Sequence, residues 1–375
     1  MSFKPWFLSV VFCAVQHAGA TEILIAQVAD YSASRAALGK AMKAGAEMAF
    51  NKANSSGSLG KDKIRFVTFD DQYKPEETVR LLDKVLSEQK PAIVLGVLGT
   101  ANTGAVLKAG LLERAQTPLI APYTGADSLR TPVNPWVFHI RASYAEEVDR
   151  IVKHYATLGM SNIAVLHEND AFGAFIYNAF QAAATKYGVR QSIDLVIERG
   201  STDMSKVLDT LKKANAQGIV IGTAGAPTAA FVKTLGEANL RAFRYALSVN
   251  DISSIIASAG LGHAQGFGQV QVMPDPTSGC KLKICRDFNA DYQKFGDKSI
   301  PPSPTMMEGY LSAQLALAAL QRVQGEIDGR SVKEALGRVG HFDFGGFMLD
   351  FGSGQRSGSK YTDLGIVTRS GRMMY

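Results

Sequence analysis

Short apolar runs alternate along this chain with longer segments whose apolar residues recur at helical spacing. The run at 22–29 (EILIAQVA) predicts a strand, and residues 39–53 carry Met42, Gly45, Ala46 and Ala49 on one helical face. Further strands are predicted at 64–69, 92–98, 118–121, 136–140, 163–166, 192–197, 218–222, 244–248 and 267–272. Apolar strands that are each followed by a helix predict parallel sheets covered on both faces.

The length of 375 residues exceeds the size at which one hydrophobic core keeps growing. We therefore expect an α/β protein with two doubly wound parallel-sheet lobes. The last third is less regular, with helices predicted at 286–295 and 307–323. Near the end, the alternating runs 342–351 and 361–368 predict an antiparallel pair around a Gly- and Ser-rich turn.

Residues 1–20 have the anatomy of a secretory signal peptide. Lys4 precedes an apolar run at 6–15, and the segment closes on Ala18-Gly19-Ala20, a small-x-small cleavage signal. The run is shorter than the roughly 20 apolar residues that span a bilayer. We expect cleavage near Ala20 and export. The alternatives are an uncleaved anchor and lipidation at Cys13, for which Phe12 is unsuited.

Composition and cysteines narrow the function. Apolar residues make up 46% of the chain, and the net charge of +6 is spread without a basic block, so nucleic acid is not an expected partner. Cys280 and Cys285 form an even pair in a chain predicted to be exported, which favours a disulfide over two reduced thiols. The cysteines lack further ligands spaced for zinc.

Catalytic signatures are missing from the sequence. It contains no G-x-S-x-G elbow, no H-E-x-x-H and no phosphate-binding P-loop. The glycine-rich segment 260–266 has the wrong spacing for a dinucleotide fingerprint and follows a predicted helix. We therefore expect no enzyme activity, no cofactor and no metal.

Polar and aromatic residues follow several predicted strands, at the sheet edge where open α/β folds bind ligands. These segments are Asp30-Tyr31-Ser32, Gly99 to Gly104, Tyr123 to Asp127, Glu168 to Gly173, and Asn250-Asp251. Glycines and free N–H groups at 99–104, with Thr100 or Asn102, suit a carboxylate, although these residues also serve as N-caps.

The aromatic and acidic members of this set leave two interpretations open. Tyr123 and Phe172 either cover an apolar part of a ligand or belong to the core. Asp251 either pairs with a ligand ammonium or caps the helix predicted at 252–258.

From Ile23 to about Thr368 the chain resembles the type I periplasmic binding proteins of ABC importers, in the leucine/isoleucine/valine-binding group. The resemblance is carried by the segments VLGVLGTANTG at 94–104, PLIAPYTGADSLR at 118–130, FHIRASYAEE at 138–147, HENDAFG at 167–173, TAAFVKTLGEANL at 228–240 and FDFGGFMLDF at 342–351.

The resemblance implies a ligand site. Thr100, after Gly99, corresponds to a hydroxyl that holds the α-carboxylate of an amino acid, and Phe172 to an aromatic side chain that closes over the ligand. Tyr123, Thr124 and Gly125 correspond to the segment that supplies a carbonyl for the ammonium and donors for the carboxylate. The remaining implied or expected ligand-binding residues are Tyr31, Thr223, Ala224, Asn250 and Asp251.

At Gly125 the chain departs from the amino-acid binders, which carry a hydroxyl residue there. A standard α-amino acid is therefore not the only ligand expected. A carboxylate or an amide without the α-ammonium also fits the segment.

The resemblance also implies a three-segment hinge, with crossings near Arg141, Val272 and Phe344. Lobe 1 would comprise 21–141 and 272–343, and lobe 2 would comprise 142–271 and 344–375, with the ligand buried by hinge closure. We expect a periplasmic monomer that delivers a small-molecule ligand to the membrane subunits of an ABC permease. The alternatives are a ligand-sensing receptor module and, less favoured, an exported enzyme.

Overall fold

The computed structural model describes residues 21–375, so the predicted signal peptide lies outside the described residues. The first sheet has five parallel strands in the order β2-β1-β3-β4-β5. These strands are β1 (Glu22–Ala29), β2 (Lys63–Asp70), β3 (Ile93–Leu95), β4 (Leu119–Ile120) and β5 (Val137–Phe138). The apolar runs of β1, β3, β4 and β5 are buried, which is why they lack polar alternation, whereas the edge strand β2 is partly exposed and carries polar residues.

The second sheet has seven strands in the order β14-β13-β10-β9-β8-β6-β7. Its parallel part consists of β6 (Asn162–Glu168), β7 (Gln191–Ile197), β8 (Gly218–Gly222), β9 (Phe243–Ala246) and β10 (Phe267–Gln271). Two antiparallel strands, β13 (Asp363–Val367) and β14 (Met373–Met374), complete one edge. A separate hairpin joins β11 (His341–Asp343) to β12 (Met348–Asp350).

Helices cover both sheets and connect successive strands. They are α1 (Ala36–Ser56), α2 (Pro75–Glu88), α3 (Thr100–Lys108), α4 (Leu111–Ala115), α5 (Tyr144–Thr157), α6 (Ala171–Lys186), α7 (Ser205–Ala214), α8 (Ala226–Glu237), α9 (Ile252–Ala259), α10 (Leu261–Ala264), α11 (Lys283–Phe295), α12 (Pro304–Leu320) and α13 (Gly329–Val339), with short 3₁₀ turns at 127–129 and 352–354. In the described part of the chain, no helix is long and apolar enough to cross a membrane.

The predicted fold class, two α/β lobes built on mainly parallel sheets, is confirmed. One apolar cluster packs β1 and α1 against α11 and α12, and a second lies on the other face of the first sheet. A third lies within the second sheet's lobe. A further cluster contains residues of both lobes, among them Leu98, Tyr123, Phe172 and Ala224, so the lobes share apolar contacts at their junction.

The predicted antiparallel pairing of 342–351 with 361–368 is wrong. The first run folds back on itself as the β11–β12 hairpin, because Gly345 and Gly346 adopt positive φ angles of 84° and 96° in the turn. The second run contains β13, which pairs with β10 and β14 in the other lobe. Strand alternation thus identified both runs but not their partners.

The lobe boundaries predicted at 141, 272 and 344 stay a prediction. The packing bears on the third one, because Phe347, Leu349 and Phe351 belong to the cluster that contains β1 and α12. Ser357 also forms a parallel bridge with His139, beside β5. These contacts favour a last crossing between Ser357 and the start of β13.

Candidate ligand-binding site

The ends of β3 and β4 bring together the lobe 1 residues that the sequence singles out. Leu98 and Tyr123 form a parallel bridge, and the backbone N–H of Gly99 donates to the carbonyl oxygen of Tyr123 at 3.3 Å. The hydroxyl oxygens of Thr100 and Thr124 lie 2.8 Å apart, and both side chains are buried. Because parallel strands end at one edge, two distant segments form one polar surface here.

Asn102 does not join this surface. Its Nδ2 donates to Oγ1 of Thr78 at 2.7 Å and to Oδ2 of Asp71 at 3.2 Å, so it fixes the loop after β2. The N-cap of α3 is Gly99, which has no side chain to cap with, and Thr100 is the first helical residue. The hydroxyl of Thr100 is therefore not an N-cap, although it contacts Thr124.

Gly125 is required by its neighbour Tyr144. A Cβ at position 125 would lie 2.6 Å from Cδ1 and 2.7 Å from the backbone nitrogen of Tyr144, closer than atoms can approach. Ser143 fixes Tyr144 at the start of α5 through a capping box with Glu146. The ring and backbone of Tyr144 thus occupy the space that a side chain at position 125 would need.

Phe172 reaches the same place from lobe 2. Asp170 accepts a hydrogen bond from the N–H of Gly173 and so caps α6, which puts Phe172 in its first turn. The rings of Phe172 and Tyr144 pack edge to face, with centroids 5.1 Å apart. Phe172 and Tyr123 belong to the same apolar cluster, which is one of the two roles predicted for them, and the ligand-covering role stays a prediction.

The lobe 2 residues Thr223, Ala224 and Asn250 lie together and bond largely within their own lobe. The hydroxyls of Thr223 and Thr228 are 2.8 Å apart, and Nδ2 of Asn250 donates to the carbonyl oxygen of Thr223 at 3.0 Å. Oδ1 of Asn250 accepts from the N–H of Gly225 at 3.0 Å. Ala224 presents its carbonyl oxygen to lobe 1, where Arg35 donates to it.

Asp251 and Tyr31 lie apart from this group. Oδ1 of Asp251 accepts from the N–H of Ser254 at 2.8 Å and caps α9, which is one of its two predicted roles. Asp251 also lines a crevice of ≈ 450 Å³ beside Pro302 and Asp275. The half-buried Tyr31 donates its hydroxyl to Gln27 at 2.9 Å.

Sequence reasoning missed a buried ion pair that joins the lobes. Nη2 of Arg35, in the loop before α1, donates to Oε1 of Glu168 at the end of β6 at 2.5 Å. The side chains are 2% and 0% exposed. The other carboxylate oxygen of Glu168 accepts from the N–H of Gly200 at 3.1 Å. This bridge, which we call the Arg35 bridge, holds the two lobes together at their facing edges.

A second buried charge cluster surrounds Arg141 and was also missed. Its guanidinium lies 4.4 Å from the centroid of the Tyr123 ring, its Nη2 donates to Oγ of Ser248, and its Nε lies 3.7 Å from Oε1 of Glu308. Glu147 accepts from the N–H and hydroxyl of Ser248 at 2.7 Å and 3.0 Å. We call Arg141, Glu147, Glu308 and Ser248 the Arg141 cluster.

The electrostatics of the Arg141 cluster are unusual because two carboxylates face one guanidinium. Burial raises the pKa of Glu147 to about 7, although Arg141 and the bonds from Ser248 oppose the shift. Burial also raises the pKa of Glu308. Burial works against the charge of Arg141, but the two carboxylates and Tyr123 outweigh it and raise its pKa.

The sequence did contain features that point to Glu308 and Arg141 as buried charged residues. Glu308 is the only charged residue of α12 (PTMMEGYLSAQLALAAL), and a lone acid in a buried helix needs a cationic partner. Arg141 stands at the end of the apolar run that contains β5. Neither signal identifies the partner, which lies far away in the sequence.

Cys280 and Cys285 form a disulfide at the start of α11, with Cα atoms 6.0 Å apart. The bridge belongs to the apolar cluster of lobe 1. Within residues 21–375, no group of three or more His, Cys, Asp or Glu side chains is arranged to hold a metal ion.

Two α/β lobes whose strand-end residues meet across buried ionic and aromatic contacts define a two-lobed solute-binding protein. The profile of the family described as periplasmic binding protein matches residues 22–368. The chain therefore belongs to this family, as the resemblance predicted, and the family comprises solute-binding proteins rather than enzymes.

Individual similar proteins agree with this assignment. The Leu/Ile/Val-binding protein homolog 3 of Brucella melitensis is 24% identical over 340 residues, which cover 88% of this chain and 87% of that protein. A substrate-binding periplasmic protein from Ralstonia solanacearum is 31% identical and superposes with a TM-score of 0.89 over 94% of this chain and 99% of that one.

A branched-chain amino acid ABC transporter protein from Thermus thermophilus, solved with bound valine, has the same fold. Its TM-score is 0.85 at 21% identity, over 95% of each chain. At that identity the likeness concerns the fold.

Proposed function

We propose that this chain is the periplasmic substrate-binding component of an ABC importer. It binds a small polar ligand between its lobes, namely a branched-chain or other amino acid, an amide or a small carboxylate, and delivers it to the membrane subunits of the permease. The names of the Brucella and Thermus proteins, which refer to leucine, isoleucine and valine, support this ligand range.

The observation that carries the proposal is the convergence of both lobes on one place. The Thr100–Thr124 hydroxyl pair and Tyr123 come from lobe 1, while Phe172 and Ala224 come from lobe 2. Polar groups on one side and an aromatic cover on the other suit a small ligand with a charged head and an apolar tail. Because both lobes contribute, binding stabilises the closed arrangement.

The direct test is native mass spectrometry of freshly purified protein, followed by calorimetry with amino acids, their amides and small carboxylates. We expect a retained small molecule or a Kd in the micromolar range, which corresponds to about 8 kcal/mol. If no member of the panel binds and no ligand is retained, the proposed function is wrong.

The predicted role of Thr100 is tested by Thr100→Val, which removes the hydroxyl and keeps the shape. If the hydroxyl holds an anionic head group, affinity falls by about 1–3 kcal/mol, roughly 5- to 150-fold in Kd, as measured by calorimetry. Thr228→Val is the matched control, since it breaks an equally short buried hydroxyl pair that lies within lobe 2. Equal effects of the two variants would contradict the assignment.

Export and oligomeric state belong to the same proposal. The mature protein isolated from a periplasmic extract should begin at Thr21, because the predicted cleavage follows Ala20. Intact-mass measurement checks this start. Light scattering should give the mass of a monomer, because we expect a single copy of the protein to deliver the ligand to the permease.

A further inference from the structure

The loop between β2 and α2 carries Tyr73 to the junction of the lobes in a backbone conformation that its neighbours must hold. Gln72 and Tyr73 have positive φ angles of 52° and 60°, which residues other than glycine rarely adopt. The buried Asp71 holds this turn, because its Oδ1 accepts from the N–H of Tyr73 at 2.9 Å and its Oδ2 accepts from the hydroxyl of Thr78 at 2.6 Å. Such conformations cluster at switches and at clamps around ligands, so the turn is a candidate for such a role.

Lobe 2 contacts Tyr73 through Arg199, which follows β7. Nη2 of Arg199 donates to the carbonyl oxygen of Tyr73 at 2.9 Å, and its guanidinium carbon lies 4.4 Å from the centroid of the Tyr73 ring. The guanidinium carbon of Arg35 lies 5.1 Å from the same centroid. The ring therefore makes a cation–π contact with one arginine from each lobe, an interaction that strengthens when it is shielded from water.

Asp170 orients Arg199 within lobe 2. Nε of Arg199 lies 3.4 Å from Oδ2 of Asp170, whose other oxygen accepts from the N–H of Gly173 and caps α6. The same helix carries Phe172 in its first turn. A single side chain of lobe 2 thus fixes both Arg199 and the start of the helix that holds Phe172, a predicted ligand-binding residue.

On the lobe 1 side, the ring of Tyr73 packs on Gly99. A Cβ at position 99 would lie 2.7 Å from Cε2 of Tyr73, so a larger residue there would displace the ring. Gly99 is the N-cap of α3, whose first residue is Thr100, the predicted contact for an anionic head group. Tyr73 therefore touches the lobe 1 segment that supplies the candidate site.

We infer that Tyr73 is a positioning residue on which lobe 2 closes. Its contact with Arg199, which we call the Tyr73 latch, holds the closed arrangement of the lobes and connects it to both halves of the ligand site. The inference rests on the proposed function, because it concerns how the same site is enclosed. It goes beyond that function by assigning closure to a contact that is separate from the Arg35 bridge.

The test measures the distance between the lobes and needs no ligand of known identity. Spin labels at two exposed positions, introduced as Glu88→Cys in α2 and Asp209→Cys in α7, report this distance by pulsed electron paramagnetic resonance. In the mature protein after extensive dialysis, we expect a population with the short distance of the closed lobes. This population should fall about fivefold in Arg199→Met and in Tyr73→Leu, because each variant removes a cation–π contact that only the closed arrangement makes.

Matched variants separate the latch from a general loss of packing. Arg356→Met removes an arginine whose guanidinium carbon lies 4.6 Å from the centroid of the Phe138 ring, a contact of the same kind beside β5, and should leave the distances unchanged. Tyr73→Phe keeps the ring and the backbone carbonyl, so it should retain the short-distance population that Tyr73→Leu loses. The double variant of Tyr73→Leu and Arg199→Met should change the free energy of closure by less than the sum of the single variants, since both break the same contact.

Three outcomes would overturn the inference. The first is that Arg199→Met and Tyr73→Leu have the distance distribution of the unaltered protein, and the second is that the unaltered protein lacks the short distance. The third is that Tyr73→Phe opens as far as Tyr73→Leu, which would show that the aromatic ring is not what lobe 2 closes on. All three would leave the proposed function standing, whereas the absence of binding by the whole calorimetric panel would contradict that function whatever the distances show.

Discussion

The Arg35 bridge and the Arg141 cluster both bury an arginine where the lobes meet, but they differ in the number of acids that each arginine faces. Arg35 meets one carboxylate, Glu168, whose second oxygen is bonded by the N–H of Gly200. Arg141 faces two carboxylates, and Oε1 of Glu308 has no hydrogen bond among the described residues. Two equally buried arginines can therefore differ in their effect on the lobes and on pH dependence, because one faces a single acid and the other faces two.

Because of this difference, we expect the two regions to have different roles in the protein. A matched pair between the lobes favours one arrangement of the lobes, since it is satisfied only when they touch. Burial raises the pKa of Glu147, and the second acid, Glu308, adds to the rise. The Arg35 bridge is thus expected to control lobe contact, and the Arg141 cluster to control how stability depends on pH.

The largest expected effect comes from breaking the Arg35 bridge. Arg35→Met leaves Glu168 buried without its cation, which in folded proteins destabilises by about 3–5 kcal/mol. Because the lobes can part and return Glu168 to water, we expect lobe separation rather than unfolding. Affinity for the ligand that the unaltered protein binds should fall on the order of a hundredfold, measured by calorimetry.

The control is Glu168→Gln, alone and together with Arg35→Met. The double variant should recover part of the affinity, because it removes the uncompensated charge. X-ray scattering in solution should show a larger radius of gyration for Arg35→Met than for the unaltered protein. An unchanged radius and an unchanged Kd would show that the bridge does not hold the lobes together.

An intermediate effect is expected in the Arg141 cluster. Glu147 has a folded pKa of about 7, above the ordinary value of 4.5. The stability that its protonated form contributes is complete below pH 4.5 and is lost as the pH rises through 7. Glu147→Gln mimics the protonated form, so between pH 5 and pH 8 the unaltered protein should lose about 2 kcal/mol relative to the variant.

Urea unfolding at both pH values measures this difference. The comparison between variant and unaltered protein cancels the titration of distant groups, while Arg141, Ser248 and Glu308 remain as the groups that face position 147. Glu168→Gln is the contrasting variant from the other region. If the free energies of unfolding of Glu147→Gln and the unaltered protein differ by the same amount at both pH values, Glu147 does not titrate in this range and the prediction is wrong.

The sequence was informative wherever a local pattern determines structure. Strands β1 to β10 were recognisable as short apolar runs, most of them buried on both faces, although β2 and β7 are partly exposed. The predicted site residues Thr100, Tyr123 and Thr124 were recognisable because they follow strands that end at one edge. The helix α13 was missed, although Asp328 and Ser331 form a capping box before its buried face.

Contacts between residues that are far apart in the sequence could not be predicted from such local patterns. Arg35 and Glu168 are 133 positions apart, and Arg141 and Ser248 are 107 apart. Spacing along the chain carries no information about such pairs. The collision of a Cβ at Gly125 with Tyr144 is of the same kind, since it depends on how α5 enters the second lobe.

The smallest effect is expected for an exposed pair with similar geometry. Nη2 of Arg114 lies 2.6 Å from Oδ1 of Asp83, almost as close as in the Arg35 bridge, but the side chains are 60% and 55% exposed. Water solvates both charges whether or not they pair, so Asp83→Asn should lower the free energy of unfolding by less than about 1 kcal/mol. Urea unfolding in 0.05 M and 0.5 M salt should show that this small loss shrinks further as ions screen the pair. A loss as large as that of Arg35→Met would mean that distance, rather than burial between the lobes, determines what these pairs contribute.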